Sequence, residues 1–281
     1  MITATPSIGQ LVRILLAALF TVTFIPSGVA KPQRVVSLNL CTDQLILLLA
    51  EPENIAAVSY LSQDVANSYM AASARELSTT HGRVEEILSL EPDLIFAGRF
   101  TSQGSVGFLR RIGYHIIILD SPEDFPGIRA QVRRVAALLE EQTRGEAVLL
   151  EMDRRLEQAK RAAASNQLSA AFYLPNGYTA GSKTSVDAVL EIVGFKNKVA
   201  ELGVTGTTVL SMEHLIAANP DVLILSSFGD GGTSIAQEML NHPVFAKSMK
   251  GKILIRVPTR LWVCPGPMLA EAVELLMESM P

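Results

Sequence analysis

The chain has 281 residues, with 24 Lys and Arg against 28 Asp and Glu, a hydrophobic fraction of 48% and a charged fraction of 19%. That is apolar material for one large or two ordinary globular domains, and it excludes a disordered chain, a collagen-like repeat and a disulfide scaffold. A net charge of -4 gives no drive toward nucleic acid, and four His leave no basis for a His-rich metal cage, so no metal site is expected in the chain itself.

The positive mean hydropathy of +0.29 has its source at the front of the chain. Ile14 to Ile25 is an uncharged run of 12 residues, preceded by Arg13 and followed by Pro26-Ser27-Gly28-Val29-Ala30, with small residues at the -3 and -1 places. The pattern predicts a secretory signal over residues 1–30, cut after Ala30. An uncleaved anchor is the competing reading, and the run is short for a bilayer. No Cys stands at the exit, so no lipoprotein signal is read. Export implies an oxidising compartment. No later apolar run reaches about 18 residues, so the exported chain is expected to be soluble.

Arg34 to Leu38 is a β-branched run, followed by a helix over Cys41 to Ala50 that Asn39 or Thr42 could cap. A strand is predicted over Ile55 to Ser59. A helix over Val84 to Leu90 is stopped by Glu91-Pro92 and followed by a buried strand, Asp93 to Ala97. A helix over Ser105 to Ile112 and a strand over His115 to Leu119 complete the first lobe. Continuous apolar strands alternating with helices indicate a parallel sheet covered on both faces. Asp124 to Glu141 reads as a helix, and residues 143–165 as a longer one with Val148, Leu149, Met152 and Leu156 on one side. About 23 helical residues span about 34 Å, enough to cross between domains. An ordinary surface helix is the plainer reading, and the stripe is too short for a coiled coil. Alternation then resumes: strand Ala170 to Leu174, helix Ser185 to Val193, helix Met212 to Ala218, strand Asp221 to Leu225, helix Ile235 to Leu240, strand Lys252 to Val257 and helix Ala270 to Met280. The predicted organisation is α/β: two Rossmann-like lobes, residues 31–142 and 166–281, joined by one long helix over residues 143–165.

The lobes share a segment. Val84-Glu85-Glu86-Ile87-Leu88-Ser89-Leu90-Glu91-Pro92-Asp93 matches Met212-Glu213-His214-Leu215-Ile216-Ala217-Ala218-Asn219-Pro220-Asp221, and the apolar strand after each continues the match. Glu85 and Glu213, Pro92 and Pro220, and Asp93 and Asp221 are identical pairs at one constant offset, which favours a duplicated lobe over a chance helix–Pro–strand unit.

These residues identify a resemblance. The opening RVVSLNLCTDQLILLLA, the pair VEEILSLEPDLIFAG and MEHLIAANPDVLILSS, and VDAVLEIVGFKN resemble the periplasmic substrate-binding proteins of iron–siderophore, haem and vitamin B12 ABC importers, over nearly all of residues 33–281. The resemblance implies two α/β lobes on one rigid helix, small lobe movement on binding, and a ligand in the cleft between the lobes. It implies a monomer in the periplasm that takes a small metal chelate, whose iron or cobalt belongs to the ligand, so that the protein needs no cofactor of its own. It also implies that Glu85 and Glu213 dock on arginines of a permease dimer in the inner membrane. Two carboxylates on a rigid frame make a two-point address, and Arg–carboxylate pairs add direction. The plainer role of each is to complement a helix dipole.

Ligands of open α/β sheets lie beyond the carboxyl ends of the strands. Those ends supply Asn39 and Thr42, Tyr60, Gly98-Arg99, Tyr178, Ser226-Ser227-Phe228, and Arg256 through Trp262. The resemblance places Tyr60, Tyr178 and Trp262 toward the ligand, where flat rings suit a corrin, a porphyrin or an aromatic siderophore. Arg99, Arg256 and Arg260 suit carboxylate, phosphate or catecholate groups. The bland alternatives are half-buried packing for each aromatic and solvated surface for the arginines. His81, near the cleft side, reads as polar surface before axial ligand. His115, His214 and His242 carry no role.

Cys41 and Cys264 depart from the family pattern. In an exported chain two Cys suggest a disulfide, here one that would staple the lobes; the other reading is two thiols that touch ligand or metal. No nucleophile elbow, P-loop, dinucleotide Gly pattern or paired metal-binding His motif is found. The expectation is a binding protein and not an enzyme. The alternative is an exported chelatase- or redox-like metal enzyme using Cys41 and Cys264. A carrier of free metal ions is disfavoured by the few His and unclustered carboxylates.

Overall fold

The computed structural model describes residues 31–163, 167–226 and 243–280. The predicted signal over residues 1–30, the end of the long helix at Ser165, Ser227 and Phe228, the helix over Ile235 to Leu240, and His242 lie outside the described residues. Among the described residues, no helix is long and apolar enough to cross a membrane.

Strand β1 (Val35–Ser37) is buried along its whole length. It leads into helix α1 (Leu40–Leu49), then β2 (Ile55–Ser59), a short α2 (Ala71–Ala74), β3 (Thr79–Thr80), α3 (Val84–Ser89), β4 (Leu94–Gly98), α4 (Gln103–Arg111) and β5 (Ile116–Leu119). The strands form one five-stranded sheet in the order β3-β2-β1-β4-β5, and every pair in it is parallel. All the carboxyl ends therefore lie on one edge, and all five following loops open there.

After α5 (Phe125–Leu138) and α6 (Gln142–Ala162) come β6 (Ser169–Tyr173), β7 (Tyr178–Ala180), α7 (Ser185–Val193), β8 (Lys196–Asn197), α8 (Lys198–Glu201), β9 (Thr207–Val209), α9 (Met212–Ala218), β10 (Val222–Leu225), α10 (Pro243–Ser248), β11 (Ile253–Arg256) and α11 (Leu269–Glu278). The second sheet runs β11-β10-β6-β7-β9, with β8 also on β6. It corrects the expectation of purely parallel sheets, because β7 runs antiparallel to both β6 and β9. The turn that reverses the chain holds Asn176 and Gly177 in the left-handed region, at φ 65° and 79°. A Cβ on Gly177 would come 2.6 Å from the Leu210 carbonyl oxygen, so this position takes glycine for space as well as for φ.

Helix α6, 21 residues and about 32 Å long, is the connecting helix that the sequence predicts. Its buried stripe is Gly145, Leu149, Met152, Leu156 and Ala159. Gly145 admits α5 closely; a Cβ there would lie 2.6 Å from that of Ala136. Arg133 on α5 holds Glu146, and Arg129 holds Asp153 through Nε and Nη2. Arg144 reaches Glu51, while Arg155, about three turns further on, takes Glu274 of α11 in two hydrogen bonds. The start of α6 is thus tied to the first lobe, its first half and middle to α5, and its later turns to α11 of the second lobe. One apolar core runs from Val35 and Ile46 through Val132 and Leu149 to Val189, Ile224 and Leu276. Relative movement of the lobes would disrupt that packing, and close-packed interiors resist this.

The sequence repeat is a structural repeat. Asp93 accepts the amides of Gln33 and Arg34 just before β1 and returns its own amide to the Arg34 carbonyl. Asp221 does the same at the first residue of β6, accepting the Ser169 amide and hydroxyl and donating its amide to the Ser169 carbonyl. The residue that ends each motif helix, Glu91 and Asn219, takes left-handed φ of 44° and 50°. The Pro-Asp element is therefore a turn and a clasp for the neighbouring strand, which is why its spacing recurs.

Candidate functional site

The carboxyl edge of the first sheet carries a row of side chains in the order of its strands. His81 follows β3, Tyr60 follows β2, Asn39 follows β1, Arg99 follows β4 and Asp120 follows β5. Tyr60, half exposed, stacks on His81 with ring centroids 4.6 Å apart and planes 19° off parallel. Arg99 and Asp120, both exposed, stand 3.7 Å apart. Asn39 caps α1, its Oδ1 accepting the Cys41 amide at 3.0 Å. That bond commits the side chain to the helix and leaves its amide nitrogen for other partners.

The second sheet presents Ser226 after β10, Arg256 at the end of β11, and Leu174 after β6. Tyr178 begins β7, so the sequence reading of it as a strand end is corrected. Because β7 is antiparallel, its amino end lies on the edge where its parallel neighbours end, and Tyr178 pairs there with Val209. Tyr178 is half exposed and Arg256 is exposed.

A cavity of about 440 Å³ lies between these edges. Ser121, Pro122 and Glu123 line it from the first lobe, and Phe172, Thr179, Lys183, Ser226, Thr259 and Trp262 are among its walls in the second. Trp262, 7% exposed, packs on Phe172 with centroids 5.0 Å apart, and the Ser226 and Thr259 hydroxyls join at 2.9 Å. A concave, mostly apolar site of this volume with a few polar groups is the usual form of a small-molecule pocket.

The first turn of α1 joins the edges. Cys41 is bonded to Cys264, with Cα atoms 5.0 Å apart across 223 residues of sequence. Cys264 follows Trp262 in the wall of the cavity, so the bond links the central strand loop of the first sheet to the cavity wall of the second. Next to Cys41, the Thr42 hydroxyl meets Ser37 at 2.7 Å. Asp43, fully buried, accepts the Ser59 amide at 3.1 Å and the Ser59 hydroxyl in a short bond. Burial pushes the Asp43 carboxyl up to about 7, against the lowering pull of hydrogen bonds from Ser37 and Ser59. Asp43 thereby fixes the residue that precedes Tyr60.

Of the residues singled out from sequence, Ser226 and Trp262 line the cavity, together with Thr259 of the loop from Arg256 to Trp262. Tyr60, Asn39 and Arg99 stand in the row of the first edge, and Tyr178 and Arg256 stand on the second. Arg260, in a short 3-10 turn (Thr259–Leu261), is outside the lining. Sequence reasoning missed Phe172, Lys183, Glu123 and Asp43. The Thr184–Asp187 spacing that caps α7 was the available signal for Lys183, since it places that residue just before a helix N-terminus. Among the described residues, no group of three or more His, Cys, Asp or Glu could hold a metal ion. Glu85 and Glu213 are both exposed, in the first turns of α3 and α9. Hydrogen bonds from its own amide and from Ser211 hold the Glu213 carboxyl below the usual range.

Comparison with known proteins agrees with this architecture. The profile of the periplasmic binding protein family matches residues 35–250. A cobalamin-binding protein of Halobacterium salinarum is 25% identical over 207 residues, covering 72% of this chain and 56% of that one, so the chain spans little more than half the length of that relative. An ABC transporter substrate-binding lipoprotein of Bacillus subtilis is 21% identical over 259 residues, covering 89% of this chain and 80% of the relative. In structure, the periplasmic heme-binding protein RhuT of Roseiflexus sp. RS-1 superposes with a TM-score of 0.73 at 24% identity, covering 88% of this chain and 97% of its own, and shares the two-lobe fold. With the profile covering most of the chain and the fold agreeing, the chain belongs to the periplasmic binding protein family.

Proposed function

We propose that this protein is the solute-binding component of an ABC importer, capturing a flat, metal-bearing chelate between its two strand edges and delivering it to a permease dimer. A cavity walled by residues of both lobes carries the reading: Trp262 lies in its wall, and the strand edge of each lobe bears a half-exposed tyrosine. Rings give large contact area with little side-chain entropy to lose. The chelate is a ferric siderophore, a haem or a corrinoid, and its iron or cobalt is cargo. The names of the relatives, cobalamin-binding and heme-binding, favour the same class. The signal pattern and the family favour a place outside the cytoplasm, and the protein is read as a monomer. With both sulfurs in one bond, Cys41 and Cys264 present no thiolate, and no observation favours the metal-enzyme alternative.

Trp262 is the sole tryptophan, so its fluorescence reports on the cavity alone. Titration of the chain from residue 31 with haemin, cyanocobalamin and a ferric hydroxamate is expected to quench it with one of the three, at micromolar concentration or below. Absence of quenching and of a visible-band shift with all three overturns the proposal. For delivery, E85Q/E213Q is expected to leave chelate affinity unchanged and to weaken stimulation of the reconstituted importer's ATPase by about 100-fold or more, since each lost charge-assisted pair is worth roughly 1.5–3 kcal/mol. Undiminished stimulation rejects the docking role.

A further inference from the structure

We infer that the cavity beside Trp262 is an oxyanion subsite, holding a carboxylate or phosphate arm of the ligand between Lys183 and the first turn of α7. The inference rests on the chelate-binding reading for the rest of the ligand, but its own geometry is separate.

Lys183 lines the cavity with a backbone φ of 57°, the left-handed region that a residue with a Cβ rarely occupies. The chain around it leaves little choice. Gly181 donates its amide to the Gly206 carbonyl, and Ser182 donates to the Val204 carbonyl at 3.0 Å. A Cβ on Gly181 would stand 2.1 Å from that same Val204 oxygen. Thr184 must then begin the helix. A glycine would suit position 183 better, and a cation stands there instead, in the wall of a cavity. Strained backbone is concentrated where a side chain must be presented to a ligand. Among the described residues no carboxylate forms an ion pair with Lys183.

Three further donors lie in the walls of the same cavity. The Thr184 hydroxyl takes the Asp187 amide at 3.1 Å. The amides of Ser185 and Val186, both in the cavity wall, have no acceptor within their helix. In the wall of the same cavity, the buried Trp262 Nε1–H has no hydrogen-bond partner among the described residues. A buried donor without an acceptor is rare and costly, and a ligand oxygen would satisfy it. A cation, a helix N-terminus and an orphan indole donor in one cavity are complementary to negative charge. Two acids lie nearby. Asp187 is engaged with the Asn197 side-chain amide at 2.8 Å, while Glu123 lines the cavity from the other lobe and opposes an anion.

The test uses the chain from residue 31 and Trp262 fluorescence, with inorganic phosphate and succinate as probes and sodium chloride as the ionic-strength control. A saturable change with phosphate or succinate is expected. K183Q should weaken it about tenfold, and E123Q should strengthen it. K183G should lose the response while raising Tm, because glycine relieves the left-handed φ. A second arm compares haemin with its dimethyl ester, the same ring without free carboxylates: K183Q should weaken haemin and leave the ester unchanged. Absence of a saturable change, or a change that K183Q leaves intact, overturns the subsite. If no chelate binds but the phosphate response depends on Lys183, the transport reading falls and the subsite stands. If chelates bind with no dependence on Lys183 in either arm, the subsite alone falls.

Discussion

Replacing Cys41 and Cys264 together by serine is expected to lower the unfolding free energy by about 5 kcal/mol. The bond closes a loop across 223 residues, and loop-closure entropy removed from the unfolded chain grows with the logarithm of loop length, reaching about 5 kcal/mol for a loop this long. Urea melts of oxidised protein and of C41S/C264S should differ by about 2 M in midpoint, given a slope near 3 kcal/mol/M for a chain of this size. Dithiothreitol should move the wild type to the midpoint of the variant and leave the variant where it is. A difference under about 1 kcal/mol would mean that the packing of α5, α6 and α11 holds the lobes without help from the bond. Chelate affinity should also fall in the variant, because the bond fixes the distance between the two edges before ligand arrives, and a preorganised site loses less entropy on binding.

Asp43 gives the second large effect, on the pH dependence of stability. Burial raises its folded-state pKa from 3.8 to about 7. Between those values the folded protein keeps a proton that the unfolded chain has released, so stability falls as pH rises from about 4 to about 7 and is level beyond. At 1.36 kcal/mol per pKa unit the loss is about 4 kcal/mol. Carboxylates held below their usual range by hydrogen bonds, Asp64, Asp221 and Glu274 among them, act in the opposite sense and at lower pH, losing stability as pH falls. The difference between wild type and D43N isolates Asp43. An asparagine keeps an oxygen for the Ser59 amide but does not titrate, so D43N should gain on the wild type by up to about 4 kcal/mol between pH 4 and pH 7. Parallel stability–pH curves would place the proton elsewhere.

Much of the frame was legible from local chemistry. The helix after Thr184 matches its predicted span, Ser185–Val193, because a capping threonine and a closing glycine bound an apolar stripe. The Glu–Pro-Asp repeat announced two similar lobes because turn and strand clasp depend on those residues alone. The long connecting helix was legible in its charge and apolar spacing, although its partners were not. The antiparallel β7–β9 pair left no comparable trace: each strand has only three residues, too short for a period, and its direction is set by hydrogen bonds to strands far along the chain.

The candidate site divides in the same way. The sequence by itself determined which residues follow the strands, since a parallel sheet places those loops on one edge whatever else the chain does. Only the tertiary structure decided which of them face a common space. It brought Trp262 to a cavity with Lys183, left Tyr60 stacked on His81 outside the lining, and joined Cys41 to Cys264 across 223 residues. Those outcomes depend on distances between the lobes, which the packing of α6 against α5 and α11 sets, and no local pattern encodes them.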